Sequence, residues 1–213
     1  SIVTLELVRM SGVKHQAFYS ATGIDPPQVT RFIRKHYPDV RWLRPKMTFW
    51  QGIRKKFPPL RIQRWCCDVL KKDPAKHIPL RHRIMGIRAE ESFKRAAQPR
   101  LCKFARLIVY KPIFYWKMWH VWQFIEDMRL PYPCLYDQGF DRIGCVICPF
   151  LCHKNQKQIE MHRRRWPKTY KVFEHVVAEW WLKNRSKKSL VEREQYKDGS
   201  PQEYIDAWYR GFE

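Results

Sequence analysis

The sequence lacks any run of about eighteen apolar residues, so it predicts no membrane-spanning helix and no membrane partner. Its first residues lack the basic-then-apolar pattern of a secretory signal, and the chain has no internal repeat or low-complexity tract. We therefore expect a cytoplasmic protein, in which disulfides are rare. With 45% hydrophobic and 15% aromatic residues, the chain is not expected to be disordered.

Acidic residues are scarce, since 20 Asp and Glu stand against 42 Lys and Arg, a formal net charge of +22 over 213 residues. Lysine and arginine contacts to phosphate dominate the affinity of proteins for nucleic acid, so this excess predicts a nucleic-acid partner. The residues favoured for that contact are Arg163, Arg164, Arg165, Lys187 and Lys188. The alternative is a basic surface that only keeps the protein soluble, with a solvated helix face at these positions.

Strand-like and helix-like segments alternate along the chain. Apolar runs predict strands at residues 15–20, 40–43, 83–88 and 107–110, and helical spacing predicts helices at 28–37, 48–56 and 119–128. This alternation predicts an α/β core over residues 1–150, with a mostly parallel sheet and helices on both faces. Residues 151–213 have no strand pattern and are expected to form a basic helical C-terminal region. Ligands of such sheets bind at the carboxyl ends of the strands, which favours the loops at 22–25 and 88–92.

Two cysteine pairs carry the strongest chemical signal. Cys145 and Cys148 form a Cys-x-x-Cys pair between a glycine and a proline, which favours a tight turn. Cys66 and Cys67 are adjacent on a predicted helix, where neighbouring side chains diverge by about 100°. One zinc ion would use the adjacent pair poorly, whereas a wider cuboidal cluster accepts ligands from divergent directions. The four thiols therefore favour an iron–sulfur cluster, with zinc as the main alternative.

Other interpretations of the cysteines stay open. A Cys-x-x-Cys pair alone is also typical of a redox dithiol, and an adjacent pair alone is typical of small core residues. Cys102 and Cys134 are isolated and are expected in the core or at the surface. Cys152 is either a substitute ligand or a free thiol.

Several motifs occur in a fixed order along the chain. They are Arg64-Trp65-Cys66-Cys67, Met85-Gly86-Ile87-Arg88-Ala89-Glu90-Glu91-Ser92, Lys111-Pro112-Ile113, Leu130-Pro131-Tyr132 and Ile143-Gly144-Cys145-Val146-Ile147-Cys148-Pro149. Together they resemble the phosphoadenosine phosphosulfate reductase-like family of ATP pyrophosphatases that carry the PP-loop, from residue 1 to about residue 166. The resemblance implies an adenine nucleotide alpha hydrolase-like fold and ATP, with or without Mg²⁺, as the nucleotide. It also implies that Ser1 is the last serine of the PP-loop, the rest of which is absent from this sequence.

Two branches of the family differ in function. Adenylylsulfate reductases carry the same cysteine pairs on a four-iron cluster, together with a catalytic cysteine near the C-terminus, and this sequence has no cysteine after Cys152. The resemblance is therefore nearest the branch that transfers sulfur in DNA phosphorothioation, which implies an ATP-dependent enzyme, DNA as the favoured acceptor and a sulfur donor such as a cysteine desulfurase. A sulfonucleotide reductase and a non-catalytic nucleic-acid-binding module of a larger assembly are the alternatives.

The resemblance also implies roles for individual residues. Arg88 and Glu91 are expected to be catalytic. ATP is expected to contact Ser1, Thr22, Gly23, Asp25, Arg88 and Ser92, and a [4Fe–4S] cluster is expected on Cys66, Cys67, Cys145 and Cys148. Helix caps, a plain turn and a surface arginine are the ordinary alternatives for the loop residues. The tryptophans at 116, 119 and 122 are expected in the core and not as base-stacking platforms.

Overall fold

The computed structural model describes residues 2–152, 156–185 and 199–212, with the side chains of Phe104 and Cys152 left out. Ser1, Lys187 and Lys188 therefore lie outside the described residues. The side chain of Cys152, the possible substitute ligand, is not described either. The chain divides into two compact units. Unit 1 consists of residues 1–18, 31–41 and 78–134, and unit 2 of residues 19–30, 42–77 and 135–213. The boundary predicted at residue 150 falls inside unit 2.

The strands form two small sheets. β1 (Phe18–Ser20) pairs with β2 (Arg41–Leu43), and their hydrogen bonds advance in the same direction along both strands, the parallel arrangement. The second sheet lies in unit 1 and has the order β3 (His82–Ile84), β5 (Leu107–Tyr110), β4 (Leu101–Phe104). β3 is parallel to β5, with Arg83 opposite Val109, and β4 is antiparallel to it.

Two helices of unit 1, α1 (Ile2–Met10) and α7 (Met118–Asp127), pack on a small apolar core. The short α6 (Phe93–Ala96) buries none of its residues. Val3, Ile113 and Ile125 are buried at the centre of this core, with Trp116 and Trp122 packed against them. α2 (Pro27–His36) begins in unit 2 and ends in unit 1.

Unit 2 is mostly helical, apart from parts of β1 and β2, and holds the larger core. Its elements are α3 (Phe49–Lys55), α4 (Trp65–Cys67), a π-helical turn (Asp68–Lys72), α5 (Asp73–Lys76), α8 (Pro149–Cys152), α9 (Gln156–Arg165), α10 (Pro167–Asn184) and α11 (Pro201–Arg210). Capping boxes start α3 and α11: Thr48 Oγ1 accepts from Gln51 N at 3.2 Å, and Ser200 Oγ accepts from Glu203 N at 3.2 Å. The basic C-terminal helices are part of this core, since Phe173 and Val177 of α10 are completely buried.

No helix among residues 2–152, 156–185 and 199–212 is long and apolar enough to cross a membrane.

Candidate metal centre and phosphate loop

The Cys66–Cys67 pair lies in α4, whose first residue, Trp65, fixes the helix against the core. Trp65 is buried, stacks on Phe49 with ring centroids 6.0 Å apart, and packs so closely on Gly52 that a Cβ there would overlap the indole. The segment continues as the π-helical turn, a feature that often occurs at functional sites. The sequence therefore fixes this pair through one aromatic anchor and one residue without a side chain.

Indole hydrogen bonds also hold the chain that leads into this segment. Three helices of unit 2 (α4, α10 and α11) each supply one indole N–H to a carbonyl oxygen between residues 56 and 59. The bonds are Trp65 Nε1 to Phe57 O at 2.8 Å, Trp180 Nε1 to Lys56 O at 3.0 Å and Trp208 Nε1 to Pro59 O at 2.9 Å. Prolines at 58 and 59 remove backbone donors here, so the side chains of α10 and α11 take over part of the support. The C-terminal helices thus help to position the cysteines.

The second cysteine pair lies on a turn whose backbone is tied on both sides. Val146 N donates to Ile24 O at 2.8 Å, and Val146 O accepts from Tyr170 Oη and lies 3.0 Å from His162 Nδ1. Val146 is buried, whereas Cys145 and Cys148 on either side of the buried segment are only partly covered. The turn therefore presents two thiols from a rigid backbone.

The four cysteines lie in one electrostatic neighbourhood. A hydrogen bond to Cys67, burial, and the nearby Cys148 and Cys145 raise the pKa of Cys66. The same bond, together with Lys71 and Arg64, lowers the pKa of Cys67 to about 6 against the opposing effect of burial. Burial, Cys145 and Cys67 raise the pKa of Cys148. Each thiol whose pKa is shifted is influenced by a thiol of this set, so the two pairs converge on one place.

Two cations accompany the thiols. Burial lowers the pKa of Lys71, but the charge of Cys145 and a hydrogen bond to it raise that pKa above its ordinary value. Arg64 precedes α4 and lies over the Phe150 ring at 4.2 Å. It therefore links the chain just before Cys66 to the chain just after Cys148. These cations favour the thiolate form of the nearby cysteines.

The loop at residues 22–25, predicted to bind nucleotide, contacts one of these four cysteines. Thr22 N donates to Asp25 Oδ2 at 2.6 Å, and Thr22 Oγ1 lies 3.8 Å from Cys145 Sγ. Gly23 has φ +78°, a backbone conformation that favours glycine. Burial and a hydrogen bond to Asp25 raise the pKa of Tyr19. The structure therefore brings Thr22, Asp25 and the four cysteines together.

The four thiols are the donor set that the predicted cluster would use. In the part of the chain that the structure describes, no three His, Cys, Asp or Glu side chains are arranged to hold one metal ion. The described cysteine side chains include no disulfide, so four thiols from two segments are available. Cysteine thiolates in this number are the usual ligands of a [4Fe–4S] cluster.

The Arg88 loop lies in unit 1. Arg88 is buried, its Nη1 contacts Glu90 Oε2 at 2.5 Å, and its Nη2 lies 3.7 Å from Met118 Sδ. Glu91 accepts from Arg88 N at 3.1 Å and also pairs with Arg95. Ser92 Oγ accepts from Arg95 N at 3.3 Å and caps α6. The loop is thus closed by its own ion pairs, and a phosphate would have to replace Glu90 at Arg88.

The basic residues of α9 differ from one another. Arg163 lies over the Tyr209 ring at 4.5 Å and contacts Glu174 Oε1 at 3.4 Å, so it fastens α11 to α9 and α10. Arg164 and Arg165 are exposed. Arg163, which is also exposed, Arg164 and Arg165 all remain predicted phosphate contacts.

The family model of the phosphoadenosine phosphosulfate reductase domain matches residues 1–151. The chain belongs to this family. Members of the phosphoadenosine phosphosulfate reductase family handle sulfur as reductases or sulfur-transfer enzymes, so the chain belongs to a family of enzymes. The matched residues include both cysteine pairs, the loop at 22–25 and the loop at 88–92.

Relatives of the chain include proteins with and without an assigned activity. It is 30% identical over 84% of its length to an uncharacterized protein of Methanocaldococcus jannaschii, of which it covers 40%. It is 29% identical over 64% of its length to an adenosine 5′-phosphosulfate reductase of Allochromatium vinosum, of which it covers 48%. The chain thus spans less than half the length of these two relatives.

A solved structure supports the fold. The phosphoadenylyl-sulfate reductase of Candida auris, in complex with phosphate, superposes with a TM-score of 0.51 and 21% identity. The match covers 67% of this chain and 75% of that one. This likeness and the parallel strand pairs confirm the predicted α/β class.

Sequence reasoning missed several residues that contact or support the candidate site. Lys71 lies four positions after Cys67, one helical turn, and a cation at that spacing was the available signal. The indoles of Trp180 and Trp208 have no such signal, because their partners Lys56 and Pro59 are distant in the sequence.

Proposed function

We propose that this chain is an ATP-dependent iron–sulfur protein that transfers sulfur to nucleic acid, with DNA phosphorothioation as the favoured reaction. One observation carries the proposal: the predicted nucleotide loop contacts the predicted cluster ligands, with Thr22 Oγ1 3.8 Å from Cys145 Sγ. A nucleotide bound at this loop would lie beside whatever the four thiols hold. That adjacency is what an ATP-using sulfur-transfer enzyme requires.

Cys66, Cys67, Cys145 and Cys148 would hold the cluster, and zinc is the alternative occupant. When bound, the cluster would supply thiolate-ligated iron and sulfide, a group able to carry sulfur or electrons. Lys71, through its bond to Cys145, offsets negative charge at the thiolates.

The other residues bind and orient phosphates in this proposal. The Thr22–Asp25 bond holds the loop so that its backbone does not have to reorganise when a nucleotide binds. In unit 1, Arg88 exchanges Glu90 for a phosphate, where a guanidinium fork suits a transferring group. Glu91 keeps the Arg88 backbone in place through its bond to Arg88 N. Mg²⁺ accompanies the ATP phosphates where it is needed.

The first experiment is anaerobic purification with iron, sulfide and zinc analysis and a visible spectrum. We expect about four irons per chain and a brown protein. Cys145→Ser should lose most of the iron, whereas Cys134→Ser, at an exposed cysteine of unit 1, should keep it. A colourless protein that carries one zinc would overturn the cluster.

The second experiment tests the reaction. The loaded protein is incubated with ATP, DNA, cysteine and a cysteine desulfurase, and AMP, pyrophosphate and DNA-bound sulfur are measured. We expect AMP and pyrophosphate to form in equal amounts and to depend on the sulfur donor. Absence of ATP binding by cluster-loaded protein would refute the proposal.

A sulfonucleotide reductase is the second candidate, because several relatives are named adenosine 5′-phosphosulfate reductase, including one of Staphylococcus epidermidis that is 31% identical over 54% of this chain. Release of sulfite from adenylylsulfate with a thiol reductant, without turnover of ATP, would favour it. Either reaction suits the cytoplasm, the compartment we propose, because reducing conditions keep the cysteine ligands as thiols.

A further inference from the structure

The aromatic surface of unit 1, formed by Tyr115, Lys117, Trp119 and His120, has no role in the sites described above. Trp119 was expected in the core, but it is 64% exposed, and Tyr115 is 69% exposed. Trp116 and Trp122 do pack against the core, so the expectation was wrong for Trp119 alone. Trp119 lies three positions before Trp122, close to the same face of the helix, so the packing of unit 1, and not helical spacing, leaves it exposed.

The exposed rings are held in place. Trp119 stacks on His120 with ring centroids 3.6 Å apart and an interplanar angle of 23°. His120 Nδ1 accepts from Lys117 N at 2.9 Å, which fixes the imidazole at the start of α7. Tyr115 packs edge-on against the buried Phe114, with centroids 5.0 Å apart. A ring already fixed in one orientation loses little conformational freedom when a second ring stacks on it.

The aromatic surface adjoins the loop predicted to bind phosphate. Ala89 N donates to Phe114 O at 2.8 Å, and Arg88 Nη2 lies 3.7 Å from Met118 Sδ. The segment that carries Tyr115 and Trp119 therefore runs directly beside Arg88, within unit 1. A molecule that reaches this loop with a phosphate can place a flat group on the exposed rings.

The charge of unit 1 favours a polyanion. The unit contains seventeen Lys and Arg and only six Asp and Glu. Between residues 81 and 106, eight basic side chains stand against two acidic ones, Glu90 and Glu91, and both of these pair with arginines. Lys117, in the middle of the aromatic surface, is exposed. This combination of stacking rings and cations is typical of surfaces that bind single-stranded nucleic acid.

We infer that the aromatic surface stacks an unpaired base of single-stranded nucleic acid whose adjacent phosphates contact the basic residues of unit 1. A duplex keeps its bases stacked on each other, so it could use only the cations. The inference rests on the nucleic-acid part of the proposed function and adds to it the strand state of the substrate.

The test is fluorescence anisotropy with a labelled 20-nucleotide single strand and with the same sequence as a duplex, at two salt concentrations. We expect Trp119→Ala to weaken single-strand binding by about 5- to 150-fold and to leave duplex binding within about twofold. Trp119→Phe should recover most of the loss, because a phenyl ring still stacks. Lys117→Ala is the matched control for charge: it should weaken the binding of both the single strand and the duplex, and make that binding less dependent on salt.

Three outcomes would overturn the inference. They are unchanged single-strand binding by Trp119→Ala, an equal loss for single strand and duplex, and full displacement of the single strand by millimolar ATP with an equal loss of ATP affinity in the variant. The last outcome would assign the rings to a free nucleotide. The assay needs no turnover, so a failure of the ATP or iron experiments above is distinguishable from a failure here.

Discussion

Gly52→Ala is the most direct test of how the fold positions the cysteines. A Cβ at Gly52 would overlap the Trp65 ring, which is buried and hydrogen-bonded to Phe57 O. Overpacking of this kind costs about 1–3 kcal/mol, and loss of the indole bond about 1 kcal/mol. Alanine returns about 1 kcal/mol through its higher helix propensity, because Gly52 lies inside α3. We therefore expect a net loss of about 1–3 kcal/mol of unfolding free energy.

The substitution should also affect metal loading, because Cys66 and Cys67 directly follow the displaced Trp65. For a chain of this size the expected fall in melting temperature is about 2–12 °C, measured by circular dichroism on the metal-free protein. Iron content after anaerobic reconstitution should fall in parallel. Gly144→Ala is the matched control: it lies next to Cys145, but a Cβ there would have no atom within 4 Å. Wild-type stability and full iron content in Gly52→Ala would refute this account of the Trp65 anchor.

Two further predictions concern buried polar groups. Lys111→Met should cost about 1–3 kcal/mol in chemical denaturation, because the buried ammonium of Lys111 donates to Gln98 Oε1 at 2.9 Å and Pro99 O at 3.0 Å; wild-type stability would mean that desolvation cancels these bonds. The pKa of His162 is lowered in the folded protein, because the effect of burial exceeds the opposing effect of the bond to Val146 O. The unfolded state therefore binds the proton more readily. Unfolding free energy should therefore fall as the pH drops below about 6.5, by at most about 1.4 kcal/mol per pH unit. His162→Gln should remove that part of the slope, and an unchanged profile would contradict the assignment.

The sequence predicted the elements with strong periodicity. α2, α3 and α7 begin and end within about two residues of the expected positions, because apolar spacing and caps such as Thr48 are local signals. β4 was missed. Its residues Leu101 and Lys103 are exposed, and only Cys102 between them is partly covered, so the strand has little hydrophobic pattern to detect. β3 ends at Ile84, earlier than the apolar run suggests, because its pairing with β5 stops at Tyr110.

The sequence predicted the cysteines of the candidate site but not the residues that hold them in position. Both cysteine pairs stand out by spacing, but the indoles that hold residues 56–59 come from Trp180 and Trp208, more than a hundred positions away. No local pattern predicts such bonds, which depend on how α10 and α11 pack in unit 2. The exposure of Trp119 was missed for a related reason: three tryptophans at i, i+3 and i+6 suggest one buried stripe, and tertiary packing decides where that stripe ends.

The loop at residues 22–25, predicted to bind nucleotide, and the turn at Cys145 are far apart in the sequence but hydrogen-bonded to each other in unit 2. The bond from Val146 N to Ile24 O joins their backbones at 2.8 Å, and Thr22 contacts Cys145 through its side chain. A cluster held at Cys145 would therefore be coupled to a nucleotide held by the loop, and by linkage each would raise the affinity of the other by the same factor.

We expect cluster-loaded protein to bind ATP about fivefold more tightly, or better, than protein stripped by a chelator. Calorimetry on both forms measures this factor, and the equilibrium iron content in competition with a chelator, with and without ATP, measures the reciprocal effect of ATP on iron binding. Thr22→Val should reduce the coupling, because it removes the hydroxyl that contacts Cys145 and bonds Ile24 N at 3.3 Å. Equal ATP affinity in the two forms, with iron loss independent of ATP, would mean that the contact joins two sites that act independently.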